Sequence, residues 1–164
     1  MVAGPTSLRT PAGVTRIDVT STAQMAEAVF SRVADCDIFI AVAAAADYTP
    51  IEPRAQKIKK SGEALMITLK PTIDILATVA GRANPPFCVG FAAESQDVVR
   101  LAEEKRGRKK VPLIVANRAQ DALGSDGNEI TLLDDTGAHA LPKMAKLALA
   151  RRLAVEIAMR LSAS

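Results

Sequence analysis

The residues best equipped for chemistry follow three short apolar runs. Residues 38–43 (IFIAVA) lead into Ala44-Ala45-Ala46-Asp47-Tyr48, residues 87–91 (FCVGF) into Ala92-Ala93-Glu94, and residues 113–116 (LIVA) into Asn117-Arg118. In each case small residues allow a ligand close to the backbone, and a polar or charged side chain comes next. Asp47 suits an acceptor for a base amino group or a ribose hydroxyl, or a magnesium ligand; a turn or N-cap aspartate reads the same way. Because it ends a run of alanines, its carboxylate is expected at a sheet edge and not in open solvent. Phe91 fits either a core position or a stacking wall for a base.

Two basic strings add charge. Lys57-Ile58-Lys59-Lys60 sits in a polar stretch ending in Ser61-Gly62, where a mobile lysine loop could clamp a polyphosphate and release the product. A solvated charge run would look no different. The second string, KRGRKK at 105–110, puts Lys105 and Lys109 on one face of a helix near its C-terminal end, where the helix dipole favours cations. A nucleic-acid patch also fits that string, although no aromatic residues interleave to stack bases. No Ser-His-Asp or Cys-His set is visible. One His and two scattered Cys cannot assemble a transition-metal site.

The elements that must carry these residues alternate in period. Residues 16–20 read as a short strand, Ser21 or Thr22 as the cap of the helix that follows, and 38–43 as a strand buried on both faces. A strand at 65–70, a helix at 74–82 stopping before Asn84-Pro85-Pro86, a strand at 87–91, a helix at 97–109 and a strand at 113–116 come next. Residues 129–141 read as an antiparallel hairpin that places His139 at the surface, and 142–161 as a final helix. That helix is apolar over more than half its circumference, through Met144, Leu147, Ala148, Leu153, Val155, Ile157 and Leu161, so it should pack against something large. Strands separated by helical segments of ten or more residues imply an α/β fold, a Rossmann-like three-layer sandwich with a mostly parallel sheet. In such a sheet ligands bind beyond the carboxyl ends of the strands, where the three runs above terminate.

Composition narrows the class. In 164 residues, 49% apolar and 24% charged content is that of a soluble globular protein, and a net charge of +3 is too small to make nucleic acid or an anionic membrane the main partner. Cys36 and Cys88, each in apolar surroundings, are expected as buried thiols in a reducing compartment. No apolar run reaches the roughly 18 residues of a membrane span, and the start is no signal peptide, so a cytoplasmic location is expected.

An ordered set of strings resembles one family. AAADY at 44–48, QKIKK at 56–60, TIDIL at 72–76, VGFAAE at 89–94, KRGRK at 105–109, VAN at 115–117, SDGNE at 125–129 and GPTSL at 4–8 are similar, in order, to segments of phosphopantothenate–cysteine ligases. The likeness is to the C-terminal ligase half of the bacterial bifunctional decarboxylase/ligase. The resemblance implies a Rossmann-like homodimer whose partners are CTP, 4′-phosphopantothenate and cysteine, with Mg²⁺ accompanying CTP. It implies two steps: the pantothenate carboxylate becomes an acyl-cytidylate as pyrophosphate leaves, and the cysteine amine then displaces CMP. It further implies a CTP pocket from Ala41, Val42 and Ala43 at a strand end with Asp47 beside it. By the same resemblance Lys57 would be the catalytic cation on the phosphates, and Ile73, Asp74, Ile75 and Leu76 would give backbone contacts. It also implies that Phe91 lines the base or ribose and that Lys105 with Lys109 completes a cationic wall.

Two departures qualify the likeness. Ile73 stands where the family has proline, which removes a rigid helical start but not the backbone donors. The family's Gly-rich opening, with its N-x-S-S-G-x-M-G string, is not in this sequence, and Val2-Ala3 reads as the tail of a strand. Residues 1–164 are therefore expected to form one CTP-binding ligase domain truncated at its N-terminus, able to bind CTP without completing ligation. A non-catalytic nucleotide-binding module shares the fold but has little use for a mobile Lys57–Lys60 string. A basic nucleic-acid-binding domain would have to act through KRGRKK.

Overall fold

A computed structural model describes every residue except Ala55, Ser61, Leu123, Ala163 and Ser164. The described chain divides into two compact units, each discontinuous in sequence: residues 1–32 with 43–75, and residues 33–42 with 76–164.

In the first unit two short parallel strands, β1 (Val2–Ala3) and β2 (Ile17–Asp18), lie against α1 (Thr22–Phe30). The helix starts where it does because Ser21, in extended conformation, accepts the Gln24 amide at 3.2 Å, while the Gln24 side chain turns back to accept the Thr20 amide at 2.8 Å. This exchange satisfies donors that the helix itself leaves unpaired. Ala26, Ala28 and Val29 form its buried stripe. An antiparallel ribbon, β4 (Tyr48–Pro50) with β5 (Leu69–Pro71), completes the unit. The strand expected at 65–70 is thus a correction: only its end pairs, in this ribbon and not in the main sheet. Its apolar residues are exposed, Met66 at 92%.

The second unit holds the main sheet, ordered β3 (Ile38–Ala41), β6 (Phe87–Glu94), β7 (Leu113–Arg118), β8 (Gly127–Asp134) and β9 (Gly137–Ala145). β3, β6 and β7 are parallel, and β8 and β9 extend them as an antiparallel hairpin. Side chains alternate between the two faces. Val89, Leu113, Val115, Ile130, Leu132 and Leu141 meet Leu149 and Ile157 of α5 (Lys146–Ser162) in one core. On the opposite face, small residues on β6 let Leu76 of α2 (Ile75–Ala80) come down onto the strand. Helices on both faces of a mostly parallel sheet give the expected Rossmann-like sandwich. α3 (Val98–Lys109) connects β6 to β7, and its end is closed by amides of Lys110 and Val111 bonding back to Gly107 and Arg106 carbonyls at 3.3 Å. The four-residue α4 (Ala119–Ala122) follows β7.

Three further expectations are corrected. β3 is an edge strand, so Ile40 is 45% exposed where burial on both faces was expected. The last helix begins at Lys146, because β9 runs through Pro142 to Ala145. Pairing shifts there: Asn128 faces Met144 and Ile130 faces Leu141, leaving Pro142 and Lys143 opposite Glu129 alone. A bulge on an edge strand is a place where proline fits. Finally, Cys36 is exposed; only Cys88 is buried, and burial pushes its thiol up to about 11.

Candidate nucleotide site

Each unit gathers its own share of the expected residues; the division falls between Val42 and Ala43 and between Ile75 and Leu76. In the second unit, β3 and β6 run in parallel register with Ala41 beside Gly90. Phe91, the next residue, is half-buried, and its carbonyl accepts the Lys105 ammonium at 2.7 Å. Leu76 packs over the same stretch of β6. The carboxyl half of β6 thus brings together Ala41, Leu76, Phe91 and Lys105, while Val42 follows directly on β3 and Lys109 lies one turn beyond Lys105 on α3.

In the first unit, the Thr72 amide donates to the Asp47 carbonyl at 2.8 Å and the Thr72 hydroxyl to the Ala46 carbonyl at 2.6 Å. These bonds extend the β4–β5 pairing by one step and hold Asp47 next to Ile73 and Asp74. The Asp47 side chain is exposed, which corrects its expected shelter at a sheet edge. Ala43 and Lys57 are also exposed, Lys57 in irregular backbone between the ribbon strands. Ser61, which closes the lysine stretch, lies outside the described residues. Thr72 escaped sequence reasoning because nothing in a lone threonine announces a bond to a carbonyl 26 residues away.

Within the second basic string Lys105 and Arg106 are committed. Arg106 bonds Glu103 and, at 2.7 Å, Asp135, so its guanidinium is held well above its usual range, the two carboxylates outweighing burial. Arg100 is paired with Glu104 and Asp97. Nearby, Asp134 closes the β8–β9 turn. Burial would raise its pKa, but bonds from the Thr136 hydroxyl, Arg160, the Thr136 amide and His139 together pull it far below the ordinary carboxylate range. His139 is thus half-buried and engaged, not simply a surface residue. Glu156, 10% exposed, is likewise lowered, first by Arg160 and then by Arg152. This network pins α5 to the hairpin.

Among the described residues no three His, Cys, Asp or Glu side chains group to hold a metal. The site residues nonetheless suit a magnesium ion that arrives on a triphosphate, since Mg²⁺ is typically held by substrate phosphates and at most one or two carboxylates. Asp47 and Asp74 are the exposed carboxylates among the candidates of the first unit.

Known proteins share the sequence and the fold. Residues 1–161 match the family described as DNA/pantothenate metabolism flavoprotein C-terminal domain. The chain is 46% identical over 156 residues to the coenzyme A biosynthesis bifunctional protein CoaBC of Vibrio cholerae, covering 92% of this chain and 39% of that protein. To the CoaBC of Escherichia coli it is 39% identical over 167 aligned positions, covering 98% and 41%. It spans about two fifths of the length of these relatives. A crystal structure of the C-terminal domain of a CoaBC superposes with a TM-score of 0.81 at 32% identity, covering 99% of this chain and 74% of that one. The DNA/pantothenate metabolism flavoprotein from Streptococcus pneumoniae has the same fold at 18% identity, TM-score 0.79. The chain belongs to the DNA/pantothenate metabolism flavoprotein C-terminal domain family, the family of the CoaBC C-terminal domain.

Proposed function

We propose that this chain acts in coenzyme A biosynthesis as the CTP-binding part of a phosphopantothenate–cysteine ligase. The observation that carries the reading is the Lys105 ammonium held on the Phe91 carbonyl at the carboxyl half of β6, beside Ala41 and Leu76. Sheet ends of this kind are where α/β folds take nucleotides, and the curated relatives are named for coenzyme A biosynthesis. In the second unit the backbone at Ala41 and Val42 takes the cytidine side, with Phe91 against base or ribose; in the first, Ala43 and Asp47 are the matching candidates, Asp47 as an acceptor for amino or hydroxyl groups. In the second unit Lys105 and Lys109 offset the triphosphate charge with the Leu76 backbone; Ile73, Asp74 and Ile75 are the corresponding backbone candidates of the first. Magnesium arriving with the triphosphate would neutralise charge on the phosphates.

Lys57 acts where charge develops. As the 4′-phosphopantothenate carboxylate attacks the α-phosphorus, negative charge builds on the departing pyrophosphate, and an ammonium free to close over it stabilises that state more than the ground state. The cysteine amine then attacks the acyl carbon and CMP leaves. We place the protein in the cytoplasm; among the described residues no helix is long and apolar enough to cross a membrane. We propose a homodimer formed through the β4–β5 ribbon, where Tyr48, Ile51, Leu65, Met66, Ile67 and Leu69 are all exposed. A two-stranded ribbon is marginal alone in water, and a second copy would bury that surface.

The test has two arms. Calorimetry with CTP and Mg²⁺ reads binding, and CMP formation with 4′-phosphopantothenate and cysteine reads chemistry. Lys57→Gln, placed in an intact ligase that carries this domain, should reduce CMP formation at least about tenfold with an unchanged unfolding midpoint. Equal turnover in the variant removes Lys57 from the mechanism, and no CTP binding by the native chain removes the reading.

A further inference from the structure

Gly90 sits within β6, where a glycine weakens the strand and needs a compensating reason. Conformation is not the reason, since its φ is not among the positive values found at Gly13, Gly62, Gly124 and Gly137. Space is. A Cβ at Gly90 would lie 2.6 Å from Ile114 Cδ1 and 2.7 Å from Leu76 Cδ2, far inside the roughly 3.5–4.0 Å at which carbon atoms rest. Ile114 is the register partner of Gly90 on β7 and is fully buried; Leu76 is the second residue of α2 and is buried too. Both contacts are the far ends of side chains, but both side chains are buried, so moving either methyl repacks the core around it. On its other side Gly90 pairs with Ala41, and the next residue is Phe91, whose carbonyl holds Lys105.

We infer that Gly90 is a positioning residue of the nucleotide site. By ceding its Cβ volume to Leu76, it sets how closely α2 lies on the carboxyl half of β6. It thereby fixes where the Leu76 backbone stands relative to Ala41 and Phe91. The inference rests on the CTP reading above. A methyl at Gly90 would lift Leu76 or push Ile114, and an outward shift of Leu76 carries the start of α2 away from the residues that line the site.

The experiment compares the native chain with Gly90→Ala, Leu76→Ala and the double variant Gly90→Ala/Leu76→Ala. CTP affinity is read by calorimetry with Mg²⁺, and stability by urea unfolding. Gly90→Ala should bind CTP at least about tenfold more weakly while folded. In the Leu76→Ala background, where the added methyl meets Ile114 but no longer Leu76, the same alanine should leave affinity within about twofold of Leu76→Ala alone. If Gly90→Ala is too unstable to titrate, the alanine is placed in Ile114→Val, which lacks Cδ1, and the tenfold loss is expected relative to Ile114→Val. A drop in stability with unchanged CTP affinity, or an affinity loss that persists in the Leu76→Ala background, overturns the positioning role. A native chain that fails to bind CTP overturns the nucleotide reading beneath it, an outcome distinct from either.

Discussion

Replacing Arg160 by methionine keeps most of its apolar stem and removes its guanidinium, the cation shared by Asp134 and Glu156. Arg160 Nε donates to Asp134 at 2.8 Å and its Nη1 to Glu156 at 2.7 Å. Both carboxylates are sheltered, with side chains 13% and 10% exposed, so losing their partner leaves charge that water screens poorly. Breaking a buried pair outright costs roughly 3–5 kcal/mol. Here Asp134 keeps Thr136 and His139, and Glu156 keeps Arg152, so the loss should be about 2–3 kcal/mol at pH 7. The pH dependence supplies a second check. Both carboxylates have folded pKa values below their unfolded ones, so their contribution is complete above about pH 4–5 and disappears as pH falls through the folded values. Without Arg160 those folded values rise, and the gap between variant and native stability should narrow below about pH 4. Urea unfolding across that range measures both. A loss under about 0.5 kcal/mol at pH 7, or a gap that stays constant with pH, refutes the argument.

Further outcomes follow from packing and exposure. Ile157, 3% exposed in the core beneath α5, should cost about 2–5 kcal/mol on change to alanine, whereas Leu147, 66% exposed on the same helix, should cost under about 0.5 kcal/mol by the same measurement. Native protein at pH 8 should react with one equivalent of a thiol reagent, at Cys36, while Cys88, buried with its thiol pushed up to about 11, should react only after unfolding. Two fast equivalents would contradict this. Sedimentation should show a dimer that Ile67→Asp converts to monomer; an unchanged dimer would move the interface away from the ribbon.

The sequence is most readable where one residue pattern has one structural meaning. FCVGF and LIVA are strands because continuous apolar runs of that length fit a parallel sheet, and Ser21 caps α1 because its side chain can reach an unpaired amide. Elsewhere hydrophobicity misleads. Leu65, Met66 and Ile67 read as core yet are exposed, because apolar content does not say whether the covering partner belongs to the same chain. Pro142 reads as a helix start because proline suits that position, but its place in a bulge depends on register with β8, which only tertiary pairing fixes. Around the candidate site, the strand ends were legible. Thr72, Arg160 and the use of Gly90 were not, since each acts through a partner 24 or more residues away or in another element or, for Gly90, through the absence of an atom.

The central claim, a CTP site at the carboxyl half of β6, is tested most directly by titrating CTP with Mg²⁺ into the native chain and Lys105→Met under one buffer. Saturable binding of one CTP per chain is expected, weakened about tenfold or more in Lys105→Met and not matched by inorganic tripolyphosphate. No saturable binding, equal affinity for tripolyphosphate, or an affinity untouched by Lys105→Met would contradict it.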